Sequence, residues 1–588
     1  MIKDNQRPTK PNGQKPIISK AIALSIAISI ATAGAGHPAE AAERKPAQIV
    51  FVHGEKQVSV NGTVKPTAAP MPVVKGVTMI PIRLIASAIG AKVYNDKSGT
   101  HIDTYANKVT LNVNMRGTKR NNSYKLMAAP ALSINGTLHV PISAVSLLWT
   151  GSYTFDKNKA QLSIVIQPDP NVPPVADFQL PIEVKRGERV LLQDLSYDPD
   201  GKLAKVEWID RKEVYFEAGT YTITQKVYDN DGASSHVTRQ LKVTDEVMYT
   251  PFEYYMRFGT PGAMFDVDTR LMNTYEEAVV TETRGGRTLY MSNAPERFFD
   301  EGLLYEDELD GAGRLFIHHR NGSSERLKLA VVVTNEQSEA VQLTIGNRGL
   351  AGPSHNALQF GFAAVKRYLT GAAPRVLTIE PNTSAILLPE LDKIALNQNN
   401  GISGLIDVDS DGPLTYTTMA LKESTDPLDV VHNLPSLEKV GNRGTFANTD
   451  LSLVVGEPLG ITAKKLRLGH RGTSITGVDA LTGQATVDGG EYGAVNTIKL
   501  TDVAYGTRIL FNPRAGNFLG AIEVNGEVIS VPAGGFADPS KGVLLHIQHQ
   551  PEGDAALLPP PEVTIRFTSP GASSLPVLLV ILPGSAFE

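Results

Sequence analysis

The 588-residue chain contains no cysteine and few aromatic residues, 6% in all with only two tryptophans. The missing cysteine excludes disulfide scaffolds, thiolate-bound zinc, iron–sulfur clusters and cysteine nucleophiles. The net charge is only −5, so the composition as a whole gives no sign of a polyanion-binding protein. The chain does contain 41% hydrophobic residues, 52 glycines and 38 prolines. This composition indicates packed cores made of short elements joined by many turns.

Residues 1–41 have the pattern of a secretory signal peptide. Five basic residues precede an apolar run from Ala21 to Ala35, and Ala39-Glu40-Ala41 supplies a small-x-small cleavage site. The run is short for a transmembrane helix, which needs about 20 apolar residues, and an uncleaved membrane anchor is the alternative. Cleavage would remove five of the 56 basic and two of the 61 acidic residues, leaving a net charge of −8.

Export without cysteine narrows the expected compartment. Many exported proteins rely on disulfides for stability, and this chain has none. We therefore expect a secreted, extracellular protein of a Gram-positive bacterium, associated with the cell wall or cell surface.

A segment near the N-terminus repeats with a shift of 60 residues. The recurring residues are Asn61, Lys65, Ala68-Ala69-Pro70, Gly76, Pro81-Ile82 and Asp96-Lys97, which fall on Asn121, Lys125, Ala128-Ala129-Pro130, Gly136, Pro141-Ile142 and Asp156-Lys157. Asparagine–glycine pairs favour tight hairpins, and Pro81 favours the start of a helix that ends at Gly90. The predicted buried stripe of that helix is Ile82, Ile85, Ala86 and Ile89. A unit of about 60 residues buries little core, so we expect the two copies to pack together.

This repeat resembles the copper amine oxidase-like N-terminal domain, also called a stalk domain. The stretches GVTMIPIRLIASAIGAKVYND and APALSINGTLHVPISAVSLLWTGSYTFDKNKAQLSIVI carry the resemblance, which covers residues 48–167. In that family the stalk is remote from the catalytic core, which makes a quinone from an Asn-Tyr-Asp/Glu site and binds copper through three histidines. This chain has no Asn-Tyr pair and no His-x-His pair. We therefore expect no amine oxidase activity.

A proline-rich linker, residues 168–174, leads into a segment that resembles a PKD domain, an immunoglobulin-like β-sandwich of cell-surface proteins. The stretches PVADF, LSYDPDGKLAKVEW and AGTYTITQKVYDNDG carry this resemblance, which places the PKD-like domain at residues 175–246. Trp208 is the predicted core aromatic residue, and Gln225 stands where the family has an inward-facing apolar residue. The resemblance implies a fold and a surface setting, and it implies no chemistry.

The remaining sequence is predicted to form two β-rich domains, residues 251–398 and residues 399–588. Apolar runs alternate with polar turns, and EVNGEVISV contains an asparagine–glycine hairpin at Asn525-Gly526. The polar stretch ALNQNNGISG marks the expected boundary.

One helix is expected inside the first of these domains, from Asn356 to Leu369. Ser354 and Gly371 are its predicted caps. Its apolar stripe, which indicates packing on a sheet, is Leu358, Phe362, Val365 and Leu369. Ser354 lies in GPSHN, where no glycine completes the G-x-S-x-G nucleophile motif, so capping is the preferred interpretation.

The acidic stretch Asp407–Gly412 has the first six positions of a calcium-binding loop. Alternating carboxylates before a turn glycine suit an ion that takes six to eight oxygen ligands. Position 12 would be Thr418 instead of a bidentate glutamate, and Pro413 follows the glycine. An acidic β-turn is the preferred interpretation, and calcium binding by Asp407, Asp409 and Asp411 stays open at this level.

The sequence evidence for other candidate site residues is weaker. Glu306-Asp307-Glu308 with Asp310 could supply paired carboxylates for glycoside hydrolysis, but a solvated acidic loop is the preferred interpretation. His318-His319 are adjacent, so on a strand their side chains point to opposite faces. No zinc-protease, P-loop or dinucleotide motif occurs. We therefore predict no catalytic, cofactor-binding or metal-binding residue and no cofactor.

The expected fold class is mainly β and multidomain, with a small α+β stalk-type repeat followed by immunoglobulin-like and further β-sandwich domains. The expected function is that of an exported, non-enzymatic surface or cell-wall protein acting as a spacer, adhesion or binding module. Its expected partners are cell-wall polymers, polysaccharides or other surface proteins, and not nucleic acid. The alternative is a secreted hydrolase or carbohydrate-binding enzyme accessory with its site in residues 251–588. A cleft that combines acids with His318 or His319 would favour the hydrolase.

Overall fold

The computed structural model describes residues 44–52, 54–67, 71–438, 441–469, 474–550 and 562–587, without the side chains of residues 294–296. The predicted signal peptide, residues 1–41, and Ala68-Ala69-Pro70 of the repeat lie outside these ranges. The chain divides into two compact units, which we call unit 1, ending at Met248, and unit 2, beginning at Tyr249. Both units are mainly β, as predicted. None of the described helices is long and apolar enough to cross a membrane.

The stalk-type repeat occupies the first part of unit 1. Its strands are β1 (Ala47–Val52), β2 (Gln57–Val60), β3 (Thr63–Pro66), β4 (Val73–Val74), β5 (Val77–Pro81), β6 (Lys92–Asp96), β7 (Gly99–Asp103), β8 (Lys108–Leu111), β9 (Gly117–Arg120), β10 (Ser123–Leu126), β11 (Leu132–Ile134), β12 (Thr137–Pro141), β13 (Gly151–Asp156) and β14 (Gln161–Ile166). Its helices are α1 (Ile82–Ile89) and α2 (Ala144–Leu148).

The two copies of the repeat interlock. One five-stranded sheet has the order β13-β14-β1-β2-β3, the other has the order β10-β9-β8-β7-β6, and a smaller sheet has the order β11-β12-β5-β4. Each sheet therefore contains strands from both copies. Apolar side chains of the copies, among them Ile49, Ile102, Val109 and Ile164, share one core and are fully buried. The expectation that the copies pack together is confirmed, and strand exchange is the way they do it.

Local sequence signals of the repeat act as predicted. Helix α1 follows Pro81 at its N-cap and ends at Gly90, which has a φ of 71° that favours glycine. Asn61 and Asn121 have φ values of 50° and 47° at equivalent hairpins. Each asparagine side chain also bonds the backbone of a neighbouring strand, because Asn61 Oδ1 accepts from Gln48 N (2.8 Å) and Asn121 Oδ1 accepts from Lys108 N (2.7 Å).

A small β-sandwich completes unit 1. Its strands are β15 (Phe178–Gln179), β16 (Glu183–Arg186), β17 (Gln193–Asp194), β18 (Leu203–Ile209), β19 (Gly219–Asp229) and β20 (Ser234–Val247). A two-stranded sheet, β15-β17, faces a four-stranded sheet, β16-β20-β19-β18. Trp208 is half-buried at the edge of the core, with its ring edge-on to Phe178 at 5.0 Å.

Gln225 is a polar residue within this core, and its hydrogen bonds show how it is accommodated. It is fully buried on β19. Its amide nitrogen donates to Asp194 Oδ1 and its amide oxygen accepts from Ser196 Oγ, both at 2.8 Å. Because Asp194 belongs to β17, the buried amide joins the two sheets, and its polar atoms are satisfied.

Unit 2 is larger and also mainly β. Its helices are α3 (Pro251–Phe258), α4 (Thr269–Thr274), α5 (Ala357–Thr370), α6 (Pro389–Asp392) and α7 (Pro427–Val430), with a 3₁₀ turn at Gly584–Phe587. Its strands up to residue 422 are β21 (Met264–Asp266), β22 (Glu276–Glu277), β23 (Thr281–Gly285), β24 (Thr288–Phe298), β25 (Gly302–Leu309), β26 (Ala312–Asn321), β27 (Leu327–Asn335), β28 (Val341–Ser354), β29 (Arg375–Ile379), β30 (Thr383–Ile386), β31 (Ala395–Leu396), β32 (Gly401–Ser410) and β33 (Leu414–Lys422).

The later strands of unit 2 complete the same sheets. They are β34 (Asn442–Phe446), β35 (Asp450–Val455), β36 (Lys464–Leu468), β37 (Ile475–Asp479), β38 (Gln484–Asp488), β39 (Asn496–Leu500), β40 (Arg508–Pro513), β41 (Gly520–Val524), β42 (Glu527–Val531), β43 (Lys541–Ile547), β44 (Val563–Phe567) and β45 (Val577–Leu582).

These strands form two sandwiches. The inserted sandwich pairs an eight-stranded sheet, β29-β28-β32-β26-β24-β34-β37-β38, with a sheet of β25-β33-β27-β30 and β31. The flanking sandwich pairs two six-stranded sheets, β21-β43-β40-β45-β36-β22 and β23-β35-β39-β44-β41-β42. Each sandwich has its own apolar core.

The structure divides this part of the chain differently from the predicted domains 251–398 and 399–588. All four sheets of unit 2 take strands from both sides of that boundary. The flanking sandwich, for example, pairs β23 with β35, so that Thr281 lies opposite Val454. The polar stretch at the predicted boundary is a connection within the inserted sandwich, because a turn-rich composition marks loops inside domains as well as between them.

Helix α5 lies on a sheet, as predicted. Its Val365, Tyr368 and Leu369 pack with Phe316 of the inserted sandwich and Ala521 of the flanking sandwich. The buried face is centred on Phe360, Ala364 and Tyr368, whereas the predicted residues Leu358 and Phe362 are only half-buried. The small residues Gly361 and Ala364, which the stripe omitted, let the helix approach its neighbours closely: an added Cβ on Gly349 of β28 would lie 1.9 Å from the Ala364 carbonyl oxygen.

Candidate functional site

The acidic residues that suggested a glycosidase do not converge. Glu306, Asp307 and Glu308 lie on strand β25, which pairs with β33, and not in the predicted loop. Glu306 accepts a hydrogen bond from Thr417 Oγ1 at 2.7 Å, and Asp307 accepts one from the Tyr305 hydroxyl at 3.3 Å. Successive side chains of a strand point to opposite faces, so the three carboxylates are divided between two environments.

Ser354 orders the N-cap residue of helix α5 and is not the N-cap itself. The N-cap of α5 is Asn356, whose Oδ1 accepts from Gln359 N at 3.3 Å. Ser354 Oγ accepts from Asn356 N at 3.1 Å and so orders the residue that caps the helix. Gly371 ends the helix as expected, with a φ of 85°.

The three aspartates of the calcium-like stretch point into different surroundings. Asp407 is buried on β32. Its carboxylate accepts a hydrogen bond from Arg314 Nε at 2.7 Å and another from the Tyr368 hydroxyl at 3.0 Å. Asp409 is exposed, and Asp411 accepts from Gln342 N at 2.7 Å. Among the described residues, no group of three His, Asp or Glu side chains could hold a metal ion.

A pocket of about 200 Å³ opens at one end of the inserted sandwich. Ser292 and His319 are buried at its floor, on the neighbouring strands β24 and β26. Its walls are mainly apolar and include Phe298, Leu304 and Leu437. The rim residues Arg297, Phe299, Asp300 and Glu438 are exposed.

The floor of the pocket contains a serine–histidine contact. Ser292 Oγ and His319 Nε2 are 2.8 Å apart, within reach for a hydrogen bond between a nucleophile and a base. His319 Nδ1 is buried and has no hydrogen-bond partner among the described residues. Burial, with a smaller effect of the neighbouring His318, lowers the pKa of His319 to about 3. The ring is therefore neutral at physiological pH and is a poor base there, because efficient general bases have pKa values near the working pH.

His318 faces the opposite side of the sheet, as predicted for adjacent strand residues. Its ring lies 4.9 Å from the Phe360 ring of helix α5 and stacks on Phe316. Neither ring nitrogen has a partner among the described residues. Burial, with a smaller effect of the Arg320 charge, lowers its pKa to about 4. The two histidines therefore do not act in one site.

A buried ion pair supports the pocket wall. Arg443 Nε lies 3.2 Å from Asp479 Oδ2, and its Nη1 donates to the Leu304 carbonyl at 2.9 Å. Asp479 is fully buried. These bonds occupy the guanidinium on the protein itself, so Arg443 shapes the pocket more than it offers charge to a ligand.

The sequence analysis missed Ser292 as a site residue. The residues that meet in the pocket come from β24, β25, β26, the segment after α7 and β34, and no local spacing relates them. Only the parallel pairing of β24 with β26, which sets Ser292 opposite Ile317 and Asn293 opposite His318, brings serine and histidine together.

The comparison with known families supports the prediction made for one part of the chain, the stalk-type repeat. Residues 20–104 match the family model described as "Copper amine oxidase N-terminal domain". The match covers the first copy of the repeat and agrees with the resemblance seen in the sequence. It spans far less than half of the chain. No curated protein matches the chain.

Solved structures overlap with parts of the chain at low scores. A structure described as "Structural basis for the promiscuous specificity of the carbohydrate-binding modules from the beta-sandwich super family" is 18% identical, covers 43% of this chain and 98% of its own, and has a TM-score of 0.13. A structure of the CBM51-2 module in complex with GlcNAc and of INT domains from Clostridium perfringens ZmpB is 12% identical, covers 42% of this chain and 48% of its own, and has a TM-score of 0.10. The chain is thus a multidomain, mainly β protein, one segment of which is similar to a copper amine oxidase N-terminal domain.

Proposed function

We propose that the protein is an exported, non-enzymatic protein of the bacterial cell surface or cell wall, and that unit 2 binds a glycan in the pocket of the inserted sandwich. Residues 175–246 act in this proposal as a PKD-like spacer between the stalk-type repeat and unit 2. The pocket carries the proposal, because it combines an aromatic wall at Phe298 and Phe299 with polar side chains at its floor.

The floor offers polar side chains to a hydroxyl group. Ser292 and Asn293 line it beside His319, and their hydroxyl and amide groups both donate and accept hydrogen bonds. A sugar hydroxyl also donates and accepts, so it matches either group. The aromatic rings of Phe298 and Phe299 offer the apolar surface against which the C–H face of a sugar packs. A volume of about 200 Å³ suits one sugar unit more than a long chain.

Binding of the mature chain, residues 42–588, to purified cell walls and to a panel of polysaccharides tests this proposal. We expect retention, and we expect Phe299→Ala to lower it about tenfold, since an aromatic side chain that packs against a ligand contributes more than about 1 kcal/mol. Phe299 is 64% exposed, and Phe536→Ala, at a residue 50% exposed in the flanking sandwich, is the matched control. No retention on any material, or equal loss in both variants, contradicts glycan binding by the pocket.

The Ser292–His319 contact favours a second candidate, a secreted serine hydrolase. Its geometry resembles an activated nucleophile, but the low pKa of His319 opposes it, and so does the lack of a partner for Nδ1 among the residues that the structure describes. A fluorophosphonate probe separates the two functions. We expect no labelling of the mature chain, and labelling that Ser292→Ala abolishes would establish the hydrolase instead.

A further inference from the structure

The outer face of the sheet β10-β9-β8-β7-β6 in unit 1 carries a row of aligned side chains. Strand pairing places Tyr94 opposite His101, His101 opposite Thr110, Thr110 opposite Lys119, and Lys119 opposite Tyr124. We call these five residues the Tyr94–Tyr124 row. Both tyrosines are exposed, Tyr94 by 39% and Tyr124 by 69%. The row crosses five strands, or roughly 19 Å at about 4.8 Å per strand spacing.

The aromatic rings of the row are held in place. Tyr94 stacks on His101 with 4.7 Å between ring centroids and donates its hydroxyl to Asp103 at 3.0 Å. At the other end, the Tyr124 ring covers Gly117, where an added Cβ would lie 2.5 Å from the tyrosine hydroxyl. Rings that are already ordered lose little conformational entropy when a ligand packs on them.

Lysines outnumber carboxylates on this face. Lys119 lies in the row, Lys92 places its ammonium 5.6 Å from the Tyr94 ring centroid, and Lys108 lies on the adjoining strand β8. All three are exposed. Two aspartates share the face: Asp96 lies 2.9 Å from His101, and Asp103 accepts a hydrogen bond from the Tyr94 hydroxyl. Three lysines and two aspartates give the face a formal net charge of +1, although the whole chain has a negative net charge.

The internal repeat provides a natural comparison for this surface. The equivalent row on the sheet β13-β14-β1-β2-β3 consists of residues without charge or aromatic rings, namely Thr154, Ser163, Val50, Ser59 and Val64. The fold of the repeat does not require tyrosine or lysine at these positions. Their presence in one copy alone points to a role other than folding.

We propose that the Tyr94–Tyr124 row binds an acidic, linear polysaccharide that crosses the strands. The aromatic rings at the two ends pack against sugar rings, and Lys92, Lys108 and Lys119 pair with carboxylates of the polymer. The length of the row accommodates several sugar units. This site belongs to unit 1 and is separate from the pocket of unit 2.

Calorimetric titration of the mature chain with polygalacturonate tests the proposal. The matched polymers are methyl-esterified polygalacturonate, which has the rings without the charge, and inorganic polyphosphate, which has the charge without the rings. We expect polygalacturonate to bind most tightly, with affinity that falls as salt rises. We expect the double variant Tyr94→Ala/Tyr124→Ala to bind about tenfold or more weakly.

The control is the double variant Thr154→Ala/Val64→Ala, which alters the equivalent row and keeps wild-type affinity if the proposal holds. Lys119→Gln should weaken binding and reduce its salt dependence. Phe299→Ala should leave it unchanged, and loss of binding in Phe299→Ala but not in the tyrosine variant would assign the ligand to the pocket instead.

Three results would overturn the proposal. They are no binding by the mature chain, equal binding of the esterified polymer or of polyphosphate, and unchanged affinity of the tyrosine variant. Circular dichroism confirms folding of each variant.

Discussion

The two units treat charged side chains in opposite ways. Among the described residues, the only buried charged residue of unit 1 is Asp229, whereas the buried charged residues of unit 2 are Arg314, Lys328, Asp407, Arg443, Lys464, Asp479, Asp488 and Glu491. The other described lysines and aspartates of unit 1 are at least partly exposed. This difference teaches that the two units depend on different stabilising interactions, although both are mainly β.

Unit 2 uses buried charge to join its two sandwiches. Arg314 of the inserted sandwich lies 2.7 Å from Asp407 of the same sandwich and 2.5 Å from Asp450 of the flanking sandwich. Tyr368 of helix α5 adds its hydroxyl to Asp407. A network of this kind orients its members precisely and is costly to break, because a charge left behind remains buried without a partner.

The largest expected effect comes from removing that arginine. Arg314→Met should destabilise unit 2 by about 3–5 kcal/mol, because Asp407 and Asp450 lose their cation. Urea unfolding measures the change in the free energy of unfolding. Arg189→Met, which removes an arginine paired with Glu213 on the surface of unit 1, should have little effect. Equal effects of the two variants would remove the contrast between the units.

Acid should destabilise unit 2 through its buried histidines. Their folded-state pKa values, about 4 for His318 and about 3 for His319, lie below the usual 6.5 of the unfolded chain. The stabilisation is therefore complete above pH 6.5 and is lost as the pH falls through the folded-state values, by about 3 kcal/mol for His318 alone. The free energy of unfolding, measured from pH 7 to pH 4, should fall more steeply in the wild type than in His318→Leu.

The comparison between the wild type and His318→Leu is needed because Asp488 acts in the opposite direction. Burial raises its pKa to about 7, so its contribution to stability is lost as the pH rises from its ordinary value near 3.8 towards 7. That contribution is common to both proteins and cancels in their difference. His236→Leu, which replaces an exposed histidine of unit 1, is the control for the substitution itself.

A smaller loss of stability, similar at the two sites, is expected when the hairpin asparagines of the repeat are replaced. Asn61→Ala and Asn121→Ala should each destabilise unit 1 by about 1–2 kcal/mol, because alanine disfavours a positive φ and cannot replace the side-chain bonds to the neighbouring strand. Thermal unfolding of the single variants should show similar shifts. The glycine variants Asn61→Gly and Asn121→Gly should lose less, since glycine accepts the backbone conformation. A large difference between the two sites would show that the copies are not equivalent.

The smallest expected effect concerns calcium. Asp407 is engaged by Arg314 and Tyr368, so millimolar CaCl₂ should not shift the melting temperature of unit 2. Titration calorimetry with Ca²⁺ on the wild type and on Asp409→Ala should give the same absence of binding heat. Saturable binding that Asp409→Ala removes would make the acidic stretch a calcium site.

Much of the local structure was predictable from the sequence. The helix from Ile82 to Ile89, its end at Gly90, the hairpin at Asn525-Gly526 and the packing of the two repeat copies against each other follow from turn residues, caps, apolar periodicity and the small size of one copy. The predicted boundary between residues 398 and 399 was not recovered, because strands such as β23 and β35 pair across more than a hundred residues. The pocket was equally unpredictable, since Ser292 and His319 meet only through the pairing of β24 and β26.

The sequence by itself determined where the chain turns, where the short helices start and end, and that two copies of one unit have to share a core. These properties depend on backbone preferences of single residues and on burial patterns within a few tens of residues. The tertiary structure decided which strands share a sheet, which charges meet in the interior, and which polar residues face a pocket or the open surface. Those outcomes depend on the burial of the whole unit, because a strand gains its partner from the combined packing of distant segments and not from its own composition.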